Sequence, residues 1–410
     1  MNNTDLIIIG AGPGGYETAV EAAAHGLQVT IFEEATPGGT CLNEGCIPTK
    51  ALCRNAEVAD TLRHAAEFGV TVPDDSIVGI NMPAIQERKN AIVAQLVAGV
   101  EGLLAKPGIT LVKAHAEFKD AHTVTANGEE YSAPNIIIAT GSATKMLPIP
   151  DTDLPGVLTS KEMLCIDHIP KRLCVIGAGV IGIEFASIFS RLGSEVTMVE
   201  FAKEILPPLD SDVAKRLRQS LTKSGIAINL NAAVTAIEPL CPATPSQGLR
   251  VKYEQKGKPC EVEADTVLLA VGRTPRTDGI NLEATGAAFS PRGISVDDNM
   301  QTTVPGLYAI GDVNARCMLA HAATFQGLHA LHHILKEESP IRLDVIPAAV
   351  FCHPEAAMVG LTEDQCKAQG IDVKVGKAFF RANGKALAMG ESDGYVKLLS
   401  EKVSGRILGC

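Results

Sequence analysis

The sequence predicts an α/β protein in which one strand–turn–helix–strand unit occurs twice, with antiparallel β segments inserted and a smaller α+β unit at the end. Three observations predict it. "DLIIIGAGPGGYETAVEAAAHGLQVTIFEE" near the start and "RLCVIGAGVIGIEFASIFSRLGSEVTMVEF" further on share a Gly-x-Gly-x-x-Gly turn between an apolar run and a helical run, and in both an acid, Glu33 or Glu200, stands at the end of the strand that follows the helix. Each copy is closed by a similar later apolar strand, "NIIIATGSATK" (135–145) and "TVLLAVGRTPR" (266–276). Between turn and closing strand lies β-rich sequence such as "GITLVKAHAEF" and "HTVTANGEEYS".

The two copies are in register: Gly10, Gly12 and Gly15 match Gly177, Gly179 and Gly182 at one constant spacing, and Glu33 matches Glu200 at the same spacing. The first glycine permits a tight turn, the second lets backbone approach a pyrophosphate, and the third lets helix and strand pack closely. The pyrophosphate then sits on the helix N-terminus. Gly26 and Gly193 stop the helices, and Glu33 and Glu200 stand where a carboxylate accepts hydrogen bonds from an adenosine ribose. The pattern is that of two Rossmann-like dinucleotide-binding domains. A later strand, in "GLYAIGDVNARCMLAHAA" (306–323), leads to Asp312, which either binds a hydroxylated ligand or caps the following helix.

Charge and composition exclude several classes. A net charge of -11 argues against nucleic acid or an anionic membrane surface as partner. "MNNTDLIIIGAG" has no basic n-region and no small-residue cleavage site, and "LIIIG" is far short of a membrane span. The helical stretch "MPAIQERKNAIVAQLVAGVEGLLAK" reads as amphipathic core packing. Eleven cysteines without a framework pattern point to a reducing cytoplasm.

Within "GGTCLNEGCIPTK" (38–50), Cys41 and Cys46 stand five positions apart. A zinc site would need a second ligand pair, which the sequence lacks. A structural disulfide gains most by closing a long loop, and this loop is short. A redox dithiol suits the spacing if an electron partner is near. Five residues of regular helix rise about 7.5 Å, beyond the ~7 Å that a disulfide tolerates between Cα atoms. The oxidised segment therefore cannot be regular helix, and Gly45 and Pro48 stand where a distortion is permitted. Two dinucleotides and a dithiol make an electron relay. The first copy contains the cysteines and is expected to hold FAD; the second is expected to hold the nicotinamide.

With these motifs the whole chain resembles the pyridine nucleotide-disulfide oxidoreductases, and "GGTCLNEGCIPTKAL" is nearest to their dihydrolipoamide dehydrogenase branch. Glu44 departs from a commonly apolar or basic position. The resemblance implies an FAD domain from 1–145 and 271–343, an NAD domain over 146–270, and an interface domain over 344–410. It implies that Cys41 exchanges with substrate, that Cys46 lies against the flavin, and that Lys50 reaches the flavin and pairs with Glu184. Gly10, Gly12, Gly14, Gly15, Glu33, Gly39, Thr40, Lys50, Ala116, Thr140, Gly141, Ser142, Asp312 and Ala320 become expected FAD contacts. Gly177, Gly179, Val180, Ile181, Gly182, Glu200, Val234 and Gly272 become expected NAD contacts. No metal is implied.

The activity implied is oxidation of protein-bound dihydrolipoamide to lipoamide with NAD. The lipoyl partner would belong to a 2-oxo acid dehydrogenase complex or a glycine cleavage system. Alternatives are a glutathione or mercuric reductase type using NADPH, or a cofactor-binding assembly subunit without turnover. Glu200 would repel a 2′-phosphate, which favours NAD; Lys203 offsets part of this. Relatives end with a His-x-x-x-x-Glu pair given across a homodimer, and no histidine follows His353 here. The expectation is an incomplete interface domain with weakened dimerisation, in which NADH still reduces the flavin but dihydrolipoamide oxidation is crippled. The remaining cysteines from Cys53 to Cys366 read as packed small residues, and His329, His332 and His333 as a solvated helix face.

Overall fold

The computed structural model describes residues 2–72, 79–241 and 248–410. They form two compact units, one of residues 2–48, 87–145 and 273–343, the other of 49–72, 79–86, 146–241, 248–272 and 344–410.

The first unit is built on a five-stranded parallel sheet in the order Leu307–Ala309, Asn135–Ile138, Leu6–Ile9, Val29–Phe32, Ile109–Val112. Its strands are near-continuous apolar runs because both faces are covered. Leu6 and Ile8 join one core with Val29, Ile31 and Ile137. Ile7 and Ile9 join the opposite one with Phe32, Ile136 and Ile138. The helix Pro13–Ala24 crosses the helix Ala320–Leu335 at Gly14 and Gly327, where a Cβ on Gly14 would come within 2.9 Å of the Ala323 carbonyl oxygen. Strands Glu117–Asp120, Thr123–Ala126 and Glu129–Ser132 form an antiparallel meander, to which Asn2–Asn3 adds in parallel.

The β-rich run "GITLVKAHAEF" divides between two sheets: Ile109–Val112 is the fifth parallel strand, paired in register with Val29–Phe32, and Glu117–Asp120 opens the antiparallel meander. The long helix Met82–Leu104 supplies the crossover that a parallel pairing requires.

The second unit repeats the plan. Its parallel sheet runs Val157–Thr159, Thr266–Leu269, Arg172–Ile176, Glu195–Val199, Ala227–Asn229, so the closing strand again lies beside the first strand of the copy. Ala232–Pro239, Leu249–Gln255 and Lys258–Ala264 form an antiparallel sheet. Residues 344–410 contribute a further antiparallel sheet, Val373–Phe379, Tyr395–Glu401 and Ile407–Gly409. It is anchored by Lys397, whose ammonium donates to Asp210 at 2.8 and 2.9 Å and to Asp212 at 3.2 Å, with Glu363 at 2.6 Å. Burial pushes the Lys397 ammonium down, but these carboxylates outweigh it and raise its pKa. Asp210 also caps the helix Ser211–Lys223 by accepting the Asp212 N–H at 3.2 Å.

Two surface expectations change. The histidine row on Ala320–Leu335 is half-buried and bonded rather than solvated: His329 Nδ1 lies 2.8 Å from Ser339 Oγ and His333 Nδ1 lies 3.0 Å from the Tyr308 hydroxyl. Cys165 is exposed, while Cys174, Cys352 and Cys366 are packed. Among the described residues no helix is long and apolar enough to cross a membrane.

Candidate functional site

In the first unit the glycine turn joins the strand Leu6–Ile9 to the helix Pro13–Ala24. Gly10 has φ +105°, and a Cβ there would strike the Ala139 carbonyl of the closing strand; one on Gly15 would strike the Gly10 carbonyl. No side chain caps the helix at Gly12, which leaves its first N–H groups for an anion. Glu33, at the end of the second strand, accepts the Ala11 N–H through Oε2 and the Ala35 N–H through Oε1, both at 2.9 Å. Each oxygen keeps a lone pair for a ribose hydroxyl.

Against this turn lies the cysteine loop. Gly39 has φ +58°, and a Cβ on it would sit 2.6 Å from the Gly12 Cα, so only two glycines allow the loop to approach so closely. A short helix, Gly39–Glu44, carries Thr40 and Cys41 and stops at Gly45; a new helix, Cys46–Arg63, begins at once. Cys41 and Cys46 are joined as a disulfide, their Cα atoms 4.7 Å apart. The helix break required by the spacing is present at Gly45, where a Cβ would crowd the Thr40 carbonyl oxygen at 2.9 Å. Pro48 falls in the first turn of the second helix, where its missing N–H is no loss.

The closing strand ends at Thr140, Gly141 (φ +72°) and Ser142. Ser142 donates its hydroxyl to Asp312 Oδ2 at 2.5 Å and accepts from Arg273 Nε at 2.6 Å. Arg273 also donates to the Ser142 carbonyl at 2.7 Å. Burial pushes the Arg273 guanidinium below its ordinary value, against the pull of Asp312 and Glu44. Asp312 lies in its own single turn, Gly311–Asn314, and the N-cap of the next helix is Leu319, so Asp312 is not that helix's cap. Ala320 opens that helix, and Ala116 is buried just before Glu117–Asp120.

The second unit has the same turn without the cysteine loop. Gly177 has φ +102°, a Cβ on it would strike the Ala270 carbonyl, and one on Gly182 would strike the Gly177 carbonyl. Gly179 faces open space and no side chain caps the helix that follows, whose first turn holds Val180 and Ile181. Glu200 accepts the Ala178 N–H at 2.5 Å and the Ala202 N–H at 2.6 Å, repeating the Glu33 pattern. Gly272 (φ +112°) follows the closing strand, and Val234 sits at a bulge opposite Tyr253. The residues at both turns fit a dinucleotide.

Lys50 and Glu184 also belong to this unit. Lys50 Nζ donates to Glu184 at 3.0 and 3.1 Å, with Glu184 buried and Lys50 partly open. No motif marks Phe351, whose N–H donates to Glu184 Oε1 at 2.9 Å and whose ring lies 4.4 Å under the Lys50 ammonium. Nearby, burial and then Glu184 push the Cys53 thiol up to about 12, which keeps it protonated at neutral pH. Arg273 was equally unforeseen. No local pattern marks either residue, because each acts on a partner far away in sequence.

Comparison with known proteins agrees with this geometry. The profile described as pyridine nucleotide-disulphide oxidoreductase matches residues 4–327, and that of the same family's dimerisation domain matches 346–410. A dihydrolipoyl dehydrogenase of Bacillus subtilis is 39% identical over 409 residues, covering 98% of this chain and 87% of that protein. A leghemoglobin reductase of Glycine max is 39% identical over 418 residues, covering 100% of this chain and 78% of that protein. Among solved structures, the HOCl-induced flavoprotein disulfide reductase RclA of Escherichia coli superposes with a TM-score of 0.85 at 30% identity, over 99% of this chain and 88% of that one. LpdA of Mycobacterium tuberculosis does so with 0.88 at 28%, over 100% and 89%. With two glycine turns, a closed dithiol and matches that run nearly end to end, the chain belongs to the pyridine nucleotide-disulphide oxidoreductase family, enzymes that work with FAD and a pyridine nucleotide.

Proposed function

We propose that the chain oxidises protein-bound dihydrolipoamide to lipoamide, with FAD held by the first copy and NAD by the second. The observation that carries the reading is the Cys41–Cys46 disulfide, closed at a helix break whose Gly39 lies against the turn glycine Gly12. The 39% identity to a dihydrolipoyl dehydrogenase supports the substrate.

The exchange steps follow from the dithiol. A substrate thiolate attacks the Cys41 sulfur, a substrate–Cys41 bond forms, and the Cys41–Cys46 bond breaks with Cys46 leaving as thiolate. The second substrate thiol loses its proton to solvent and attacks the substrate sulfur of the mixed disulfide; the substrate–Cys41 bond breaks with Cys41 leaving as thiolate, which releases lipoamide and leaves the electron pair on the two cysteines. FAD, if held by Gly12, Glu33 and Asp312, would supply the two-electron redox chemistry that links the dithiol to NAD. Lys50, held by Glu184 and Phe351, supplies positive charge that favours the Cys46 thiolate one helical turn away. Asp312 is the expected ribityl contact and Ala320 a backbone contact, with Gly10, Gly12, Gly14, Gly15, Glu33, Gly39, Thr40, Ala116, Thr140, Gly141 and Ser142 the other expected FAD contacts. Glu200 selects NAD: a 2′-phosphate about 4 Å from it would meet up to about 4 kcal/mol of repulsion at an effective dielectric of 20. The lipoyl carrier of a 2-oxo acid dehydrogenase complex or glycine cleavage system is the proposed partner, and a homodimer the proposed assembly.

The test is anaerobic mixing of the flavin-loaded protein with dihydrolipoamide and NAD. One NADH per dithiol oxidised is expected. Faster turnover with NADPH and glutathione disulfide would replace this reading with a reductase.

A further inference from the structure

The first copy carries a second acid, Glu34, directly after Glu33, whereas the matched position in the second copy is Phe201, which is 79% exposed. Glu34 is tied down on both oxygens. Its Oε2 lies 2.7 Å from His115 Nδ1, and its Oε1 accepts from Arg276 at 2.5 Å. The other ring nitrogen, His115 Nε2, lies 2.7 Å from the Gly279 carbonyl and 3.8 Å from Glu117. A carboxylate and a carbonyl can only accept, so both ring nitrogens must donate and the ring is an imidazolium.

Arg276 works with its backbone as well. Its N–H donates to the Gly141 carbonyl at 2.9 Å, and its carbonyl accepts the Thr140 hydroxyl at 2.7 Å. One residue therefore grips the loop that leaves the closing strand and reaches, through its side chain, the loop that leaves the second strand. His115 braces the same carboxylate from just beyond the edge strand Ile109–Val112. All three segments leave the carboxyl ends of parallel strands, the edge at which open α/β sheets take their ligands.

We propose that Glu34, His115 and Arg276 form an ionic clasp across the adenosine end of the FAD site, and that it slows the escape of FAD. The inference rests on the reading of the first copy as the FAD copy. It also accounts for a difference between the copies. A flavin must stay through every turnover, whereas a nicotinamide must leave after each one, and the matched position in the second copy holds an exposed aromatic ring instead of a tethered carboxylate. Each exposed pair alone is weak. A three-member network that braces loops on both sides of the ligand acts instead on the rate at which those loops part.

The test is the rate of FAD loss from the flavin-loaded protein diluted into flavin-free buffer, followed by the rise of free-flavin fluorescence. Glu34→Gln and Arg276→Gln are each expected to release FAD about tenfold faster at low salt, equivalent to about 1.4 kcal/mol. The double variant should lose no more than either single one, because the two residues share one interaction. Wild type in about 1 M salt, where the screening length is about 3 Å, should release FAD nearly as fast as the variants. Unchanged release in the single variants, or additive effects in the double, would overturn the clasp. A wild-type protein that binds no flavin at all would instead sink the FAD assignment of the first copy.

Discussion

Replacing Glu184 by Ala removes the acceptor that joins Lys50 to the backbone of Phe351. Its side chain is 5% exposed, against 32% for Lys50. Oε1 accepts both the ammonium at 3.0 Å and the Phe351 N–H at 2.9 Å. Breaking a buried ion pair from one side costs about 3–5 kcal/mol. Lys50 is nearly one-third open and regains water, which brings the expected local cost down to about 2–3 kcal/mol. Global melting is the wrong assay, because a chain of two units need not unfold in one step. Amide hydrogen exchange at Phe351 reads the site directly, and 2–3 kcal/mol corresponds to about 30- to 150-fold faster exchange. Glu184→Gln gives a second readout at Cys53, whose thiol is raised by burial first and by the Glu184 charge next. Its alkylation profile should move to lower pH yet stay above the ordinary cysteine range, since burial remains. If Phe351 exchange changes by less than about threefold in Glu184→Ala, the carboxylate is not what holds the backbone at Phe351.

Four further outcomes are expected. Cys46→Ser should abolish the long-wavelength charge-transfer absorption of the two-electron-reduced protein while Cys41→Ser retains it; the reverse pattern would exchange their roles. Glu200→Arg should narrow the preference for NAD over NADP in flavin reduction, and a native preference for NADP would contradict the role given to Glu200. Lys397→Met strips the buried Asp210 of its cation and should speed amide exchange along Tyr395–Glu401 by an amount equal to about 3 kcal/mol; unaltered protection there would refute the anchor. FAD retention should follow pH through the clasp. The Gly279 carbonyl and Glu34 raise the His115 pKa, so its contribution is full below the ordinary histidine value and lost as pH rises through the raised one. His115 and Arg276 hold the Glu34 pKa low, so its contribution is lost only as pH falls through that lowered value. Glu117, at 3.8 Å from the ring, favours the charged imidazole as well. Flat FAD release from pH 5 to 9 would contradict this.

What could be read from the residues alone was local in origin. A glycine turn is specified by a φ that other residues resist and by carbonyls that a Cβ would strike, all within a few positions of the turn or on the strand beside it. Two copies therefore stand out, and the spacing of Cys41 and Cys46 alone requires the break now seen at Gly45. Patterning was ambiguous where the partner is distant. "GITLVKAHAEF" suits an antiparallel meander as well as a fifth parallel strand, and the choice was made by the pairing of Ile109–Val112 with Val29–Phe32. The histidine row has the period of a surface face, yet Ser339 and Tyr308 come to meet it.

The sequence by itself determined the repeated turn, its acidic strand ends and the dithiol, since each depends on backbone conformation and short spacing. Only the tertiary structure decided which charges face them. Arg273 on Ser142 and Asp312, Phe351 beneath Lys50, and His115 with Arg276 on Glu34 are pairs made between segments far apart in the chain. The energy of a charge depends on what surrounds it in space, and neighbours in space are set by how the sheets and helices pack.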